Sequence, residues 1–380
     1  MPNIIFANAR VVLPDEVVHG TVAVDGETIA AIAPGAAVPA GAEDLEGDYL
    51  IPGLVELHTD HLESHFAPRP GVRWDPLAAV QAHDAEIAGC GITTVLDALR
   101  AGSDADAPGL GEAARTLAAA IRRGLAENRL RADHLIHLRC EMSAPNVVEE
   151  VEHFAADPLV RLVSLMDHTP GQRQFASLAK YREYYQGKSG MNDAAMDAFI
   201  ALRLDNHARY GAATRARMVA FCRDAGFVVA SHDDTTVEHV DEAVEAGAAI
   251  AEFPTTMTAA AAAREAGLKI LMGAPNVVRG GSHSGNVSAG ELAAAGLLDI
   301  LSSDYVPISL LSAAFQLPER GEAISLPEAI ALVTRNPAAA VGLEDRGEIA
   351  EGKRADLVRV RYDGGLPTVR GVWRAGRRVA

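Results

Sequence analysis

The sequence predicts an α/β chain: a (β/α)8 barrel with a small β-sandwich domain built from both termini. Three observations carry that reading. Short apolar, β-branched runs alternate with Ala- and Glu-rich helical stretches through the middle of the chain, which implies parallel strands. Both ends are rich in short strands and turns instead. The length of 380 residues exceeds the roughly 250 typical of a barrel alone.

The N-terminal strand candidates are Asn3–Ile5, Val11–Leu13, Thr21–Val24 and Thr28–Ile32, with an Asp25-Gly26 hairpin signal between the last two. Gly347–Ile349, Asp356–Arg361 and Thr368–Trp373 read as strands at the other end, reached through helices Leu326–Val333 and Pro337–Val341. We therefore expect residues 1–50 and 343–380 to form the β-sandwich and residues 51–342 the TIM-like barrel. Eight barrel strands are predicted: Leu54–His58, Ile92–Ala98, Leu135–Glu141, Arg161–Asp167, Phe227–His232, Ala248–Phe253, Leu268–Gly273 and Leu298–Asp304. Helices are expected between them, among them Ala78–Ala88, Leu110–Glu127 and Thr236–Ala246. The long interval from Gly171 to Arg223, Tyr- and charge-rich at Tyr181–Met196, reads as an elaborated loop and helix over the site.

Composition bounds the function. A net charge of −17 disfavours nucleic acid and membrane surfaces as partners. Cys90, Cys140 and Cys222 lie far apart, form no CxxC and are odd in number, so neither a disulfide framework nor a zinc ribbon is expected. The N-terminus lacks a basic region before an apolar run, and no apolar stretch approaches the roughly 20 residues of a membrane helix. A cytoplasmic protein is the expectation, assembled as a homo-oligomer, a dimer.

Chemistry collects at one place in strand after strand. GLVELHTD ends in His58 and Asp60, HLIHLRCE in Glu141, RLVSLMDH in Asp167 and His168, VVASHDD in His232, Asp233 and Asp234, and LDILSSD in Asp304. The C-terminal ends of barrel strands line the active-site mouth. A lone His there is usually a satisfied polar residue, and Asp304 alone could cap a helix. Recurrence at five strand ends points to a metal site instead. His58 and Asp60, two apart, share one face of an extended strand, and an imidazole with a carboxylate suits Zn2+. Two later His residues and one or two carboxylates would complete a mono- or binuclear centre. Glu141 is the candidate bridging carboxylate, and Asp304 the candidate general base.

Other features are weaker. Arg279-Gly-Gly-Ser282-His283-Ser-Gly is no Walker A loop, yet it offers a guanidinium, close-approaching glycine N–H groups, hydroxyls and an imidazole between strands seven and eight, where barrels often bind phosphate. Arg69, Arg73 and Arg173 are further candidates for the same anion. His61-Leu-Glu-Ser-His65 is not HExxH, because its Glu comes one place late. Glu252 could orient a ligand His, and Cys140 should face away from the site.

IPGLVELHTD, the aspartate of LSSD and the tail TRNPAAAVGLEDRGEIAEGKRADLVRV resemble the amidohydrolase superfamily. The usual first-strand His-x-His is here His58-x-Asp60. The strings HTDHLESHFAPRPGV, AHDAEIAGCGITTVLDAL, HLRCE, DHTPGQRQF, SHDD, EFPTT, GAPNVVRGGSHSGN and LSSDYVP, spread over nearly the whole chain, resemble the diphosphatase family of the carbon–phosphorus lyase pathway. That resemblance implies release of diphosphate from α-D-ribose 1-methylphosphonate 5-triphosphate, a phosphorylated small molecule. It implies His58, Asp60, Glu141, His168 and His232 as ligands for one or two divalent ions, Zn2+ before Mn, Fe or Ni, and Asp304 as the catalytic aspartate. Its two later histidines usually sit on strands five and six, whereas the count here gives four for His168 and five for His232. A C–N hydrolase of the same superfamily and a non-catalytic scaffold are the rival readings.

Overall fold

The computed structural model describes residues 4–102, 110–173, 177–282, 285–321 and 324–380. The N-terminal strands are β1 (Ile4–Val12), β2 (Val17–Asp25), β3 (Thr28–Pro34), β4 (Glu43–Asp44) and β5 (Tyr49–Pro52). Next come β6 (Leu54–Thr59), β7 (Ile92–Ala101), β8 (Asp133–Glu141), β9 (Val160–Met166), β10 (Val228–His232), β11 (Ile250–Glu252), β12 (Lys269–Gly273) and β13 (Ile300–Ser302). The C-terminal strands are β14 (Leu357–Arg361), β15 (Thr368–Arg374) and β16 (Arg377–Arg378).

Helices α1 (His61–Phe66) and α2 (Pro76–Gly89) follow β6, α3 (Leu110–Ala126) follows β7 and α4 (Val147–Glu152) follows β8. After β9 come α5 (Leu178–Ser189) and α6 (Asp193–Ala225); α7 (Val237–Glu245) and α8 (Met257–Glu265) follow β10 and β11. α9 (Ala274–Arg279) and α10 (Ala289–Ala294) follow β12, and α11 (Ser309–Glu319), α12 (Leu326–Ala331) and α13 (Arg335–Ala340) follow β13.

Strands β6 to β13 hydrogen-bond in chain order as one eight-stranded sheet, and a parallel Thr59–Asp304 bridge joins the first edge to the last. This is the (β/α)8 order, and all eight expected strands are present. The strand count therefore stands: β9 is the fourth barrel strand and β10 the fifth. The polar punctuation explains the helices. Asp75 caps α2 through the Ala78 N–H with Pro76 in the first turn, Thr236 and Thr256 cap α7 and α8, and Ser288 and Ser325 form capping boxes with Glu291 and Glu328. Among the described residues, no helix is long and apolar enough to cross a membrane.

The chain divides into two compact units. One comprises Met1–Asp97, Ala120–Leu135 and Met272–Ala380, the other Ala98–Ala119 and Ile136–Leu271. The first unit contains the sheet built from both termini, ordered β16-β15-β14-β5-β1-β2-β3, with β4 beside β1. Ile4 and Ile5 of the first expected piece and Val11–Leu13 of the second fall in or beside the single long β1, which a register shift between Phe6 and Ala9 bends, and Asn3 lies outside the described residues. Gly347–Ile349 is not a strand: Gly347 sits at φ 90° against the Arg335 backbone, a turn that no ladder extends. Phe6, Leu45, Leu50, Leu357 and Trp373 form this sheet's core, with Phe6 edge-on to Trp373 at 4.6 Å. Gly53 carries the chain from β5 into β6, and only glycine fits, since a Cβ there would lie 2.2 Å from Thr93 Oγ1.

Buried charge also organises this unit. Asp133 receives Arg346 and Arg374 at 2.8 Å and Arg354 at 2.6 Å, which gives the basic residues of the tail a common anchor. His134 bridges Asp97 (2.7 Å) and Asp84 (3.3 Å), and His83 meets Asp97 at 3.0 Å, all four side chains being fully buried. Burial alone would lower the His134 pKa, but the Asp97 charge and the bonds to Asp84 and Asp97 raise it from 6.5 to about 9. Burial would raise Asp97, but His134 and His83 hold it down at about 2.

Because the folded His134 value lies above the ordinary one, its stabilisation is complete below pH 6.5 and is lost as pH rises through about 9. Asp97 acts at the other end, its contribution disappearing only as pH falls from 3.8 through about 2. The melting temperature should therefore fall between pH 6.5 and 9.5. His134→Asn should cost about 3–5 kcal/mol at pH 6 and flatten that alkaline limb. A wild-type melting temperature constant over this range would refute the assignment.

Candidate active site

In the first unit the functional side chains stand at the ends of β6 and β13. His58 is buried, at 1% exposure, and Asp60 is partly exposed at the N-cap position of α1, where its side chain makes no capping bond. The Asp304 N–H donates to the His58 carbonyl (3.0 Å), and the Asp60 N–H donates to the Asp304 carbonyl (3.2 Å). Asp304 is no helix cap, because the N-cap of α11 is Ile308, with no side-chain capping bond. Its φ of 55° is left-handed, a conformation that costs a non-glycine residue energy and holds the segment after β13 in one geometry.

Glu56 sets this arrangement, and the sequence reading passed over it. It lies on β6 two residues before His58 and is fully buried. One carboxylate oxygen accepts the His58 N–H (2.6 Å) and the Ser302 hydroxyl, and the other accepts the Ser303 N–H (2.6 Å). Ser302 contacts the His58 carbonyl as well (2.7 Å). Burial pushes the Glu56 carboxyl up, opposed by the bonds from Ser302, Ser303 and His58. The signal was available: a Glu inside an apolar strand, in phase with His58 and Asp60, faces the same way.

In the second unit, Glu141 ends β8 fully buried. Its oxygens take the His168 Nδ1 at 2.6 Å, the His168 N–H at 3.1 Å and the Ser143 hydroxyl at 3.0 Å. Arg203 lies 3.7 Å and Arg100 3.8 Å from the same carboxylate. Burial would raise the Glu141 pKa, but His168, Arg203 and Arg100 together hold it well below the usual carboxylate range. Arg203 comes from α6, within the long interval after β9, and one turn on His207 reaches Asp167 at 2.8 Å. Neither was legible in sequence, since nothing in a 33-residue helix marks which turn meets the strand ends.

His232 ends β10 with its Nδ1 3.2 Å from Glu252, and its ring packs edge-on to His168 with centroids 5.5 Å apart. Burial would lower the His232 pKa, but Asp233 and Glu252 raise it. Asp233 stands at φ 56°, like Phe253 after β11 at φ 54°, so a left-handed residue at the strand end recurs here. Asp233 Oδ2 lies 3.5 Å from His232 Nε2 and 3.9 Å from His168 Nε2, and it is buried without a hydrogen-bond partner. A buried orphan carboxylate oxygen between two imidazole nitrogens whose other nitrogens are held by Glu141 and Glu252 is a donor set that fits a divalent metal.

The anion candidates fare differently. Arg69 and Arg279 are exposed, Ser282 is partly buried, and His283 lies outside the described residues. Arg173 is buried at φ 39°, with its guanidinium on Asp234 and, at 3.0 Å, on Glu242. It is already held by two carboxylates, and its positive charge is fixed behind His232, whose carbonyl it contacts at 3.4 Å. Cys140 is fully buried, as its alternation on β8 requires.

The amidohydrolase family pattern matches residues 77–380. The chain belongs to the amidohydrolase family. It is 48% identical over 376 residues to the alpha-D-ribose 1-methylphosphonate 5-triphosphate diphosphatase of Escherichia coli, covering 99% of this chain and all 100% of that one. Among solved structures, N-acetylglucosamine-6-phosphate deacetylase from Pasteurella multocida superposes with a TM-score of 0.66 at 14% identity, over 99% of each chain. N-isopropylammelide isopropylaminohydrolase from Burkholderia multivorans gives 0.66 at 16%, over 100% of this chain and 98% of that one. At such identities these structures bear on the fold alone.

Glu56→Gln places an amide N–H2 against backbone and hydroxyl donors. It should cost about 1–3 kcal/mol of stability, because donors are left facing donors in a dry site. Turnover should fall about 10–100-fold as His58 and Asp304 shift. Unchanged turnover in a protein of unchanged melting temperature would remove Glu56 from the positioning role.

Proposed function

We propose that this amidohydrolase hydrolyses a phosphoanhydride, releasing diphosphate from α-D-ribose 1-methylphosphonate 5-triphosphate and leaving the 5-phosphate. What supports the reading is the end-to-end relation to the E. coli diphosphatase, at 48% identity. The rival C–N hydrolase reading draws only on fold, which many chemistries share.

His58, Asp60, Glu141, His168 and His232 are the residues we assign to hold the metal, one or two Zn2+ ions, and Asp233 joins them on the strength of its orphan oxygen. A divalent ion supplies Lewis acidity, which lowers the pKa of water and neutralises charge on phosphoryl oxygens. The protein residues do the rest. Glu141 and Glu252 hold the Nδ1 atoms of His168 and His232, so each imidazole presents its Nε2. Asp304, fixed by its two backbone bonds, takes the proton from the attacking water as general base. Arg279, Ser282, His283 and Arg69 are assigned to the phosphate oxygens, as charge-assisted and hydroxyl donors. Arg173 acts at one remove, as a buried positive charge behind His232. The domain division at 1–50, 51–342 and 343–380, a homodimeric assembly and a cytoplasmic location belong to the same proposal.

Purified protein loaded with zinc should release diphosphate from the ribose 5-triphosphate and leave N-acetylated sugars and cyclic amides untouched. Amide turnover without diphosphate release would overturn the assignment in favour of the C–N reading. Asp304→Asn should keep its metal content, measured by elemental analysis, and lose activity by about 10²–10⁴-fold. Near-wild-type turnover would exclude Asp304 as the base.

A further inference from the structure

The first unit contains a second group of donors that the strand-end chemistry leaves unused. α1 places His61 and His65 at i and i+4, so both imidazoles leave the same side of the helix. α2 brings Glu86 to them. His61 Nε2 and His65 Nε2 each lie 3.1 Å from the same oxygen, Glu86 Oε2, and the two rings stand 84° apart with centroids at 5.1 Å. One ligand atom from each of the three residues lies within 4.8 Å of the others. Two imidazoles and one carboxylate are a Zn2+ donor set, and bonds of about 2.0–2.2 Å to a tetrahedral ion place ligand atoms about 3.3–3.5 Å apart. The observed spacing needs little movement to meet that. The i, i+4 histidine pair is that of a metal-binding helix even though the segment is not HExxH, and its carboxylate partner comes from the next helix.

A separate observation points the same way. His83, fully buried on α2, has its ring centroid 6.1 Å from that of His61 and 5.9 Å from that of His65. Its Nε2 is held by Asp97 at 3.0 Å, while its Nδ1 is buried with no hydrogen-bond partner. An imidazole oriented by a carboxylate through one nitrogen, with the other left bare, is the arrangement found around metal-binding histidines. Buried polar atoms otherwise find partners. The outer three side chains are partly open, at 22%, 24% and 40% exposure, so an ion has a path in.

We propose that His61, His65 and Glu86 form an additional divalent transition-metal site, separate from the strand-end ligands, with the His83 imidazole beside it. Its preferred ion is Zn2+, by donor type. The site ties α1, which begins one residue after Asp60, to α2. It stands whether or not the proposed reaction is correct.

The test uses the full-length protein, stripped with a chelator, reloaded with Zn2+ and desalted before elemental analysis. The double variant His61→Asn, His65→Asn should retain about one zinc equivalent fewer than wild type, and Glu86→Gln should show the same loss. Zinc-edge anomalous diffraction from wild-type crystals should place a peak within about 2.3 Å of both Nε2 atoms. That readout requires no variant to fold. Equal zinc content in wild type and a folded double variant, or an anomalous map with no peak between His61 and His65, would overturn the proposal. A His58→Asn control separates the two sites, since it should lose strand-end metal and keep the His61–His65 peak.

Discussion

The constraint on which the first unit's half of the candidate strand-end donors depends is a single buried carboxylate. Glu56 is fully buried and accepts the His58 N–H, the Ser302 hydroxyl and the Ser303 N–H. Those donors belong to the first and the last barrel strand, so satisfying one buried charge also fixes the edge-to-edge register of β6 and β13. His58, Asp60 and Asp304 inherit their positions from it. A buried carboxylate left unsatisfied is costly, so the geometry has little freedom.

The second half repeats the logic with different atoms. Glu141 holds His168 and Glu252 holds His232, each through Nδ1. In each case a buried carboxylate decides which imidazole nitrogen is presented outward. The left-handed residues after β10, β11 and β13 turn the chain sharply as the strand ends, which places side chains at the strand tips. Against burial, His168, with the guanidinium groups of Arg203 and Arg100, holds the Glu141 carboxyl down, and Arg203 brings the long α6 to the end of β8.

The same carboxylate–imidazole pairing appears away from the strand ends. The Asp97–His134–Asp84 group carries stability, while His83, on the same Asp97, has its ring about 6 Å from those of His61 and His65. Asp97 thus belongs to a structural ion cluster and also holds an imidazole near the proposed His61–His65 donors. An acidic protein with thirteen histidines has many imidazoles to place, and His83, His134, His168 and His232 each lean on a carboxylate.

The sequence by itself determined the eight barrel strands, because an apolar run ending in His, Asp or Glu is a local pattern that periodicity and strand chemistry expose. The expected extended pair of His58 and Asp60 did not hold, because β6 ends at Thr59 and Asp60 takes the N-cap position of α1. The sequence could not show that Glu56 would be the anchor, that Arg203 and His207 of a 33-residue helix would reach Glu141 and Asp167, or that Asp233 would keep an oxygen unpartnered. Nor could it show that Arg173 would be held by Asp234 and Glu242. Each of those outcomes depends on which distant group occupies the space opposite. Partner identity and desolvation are set only when strands and helices pack, so they are properties of the tertiary structure alone.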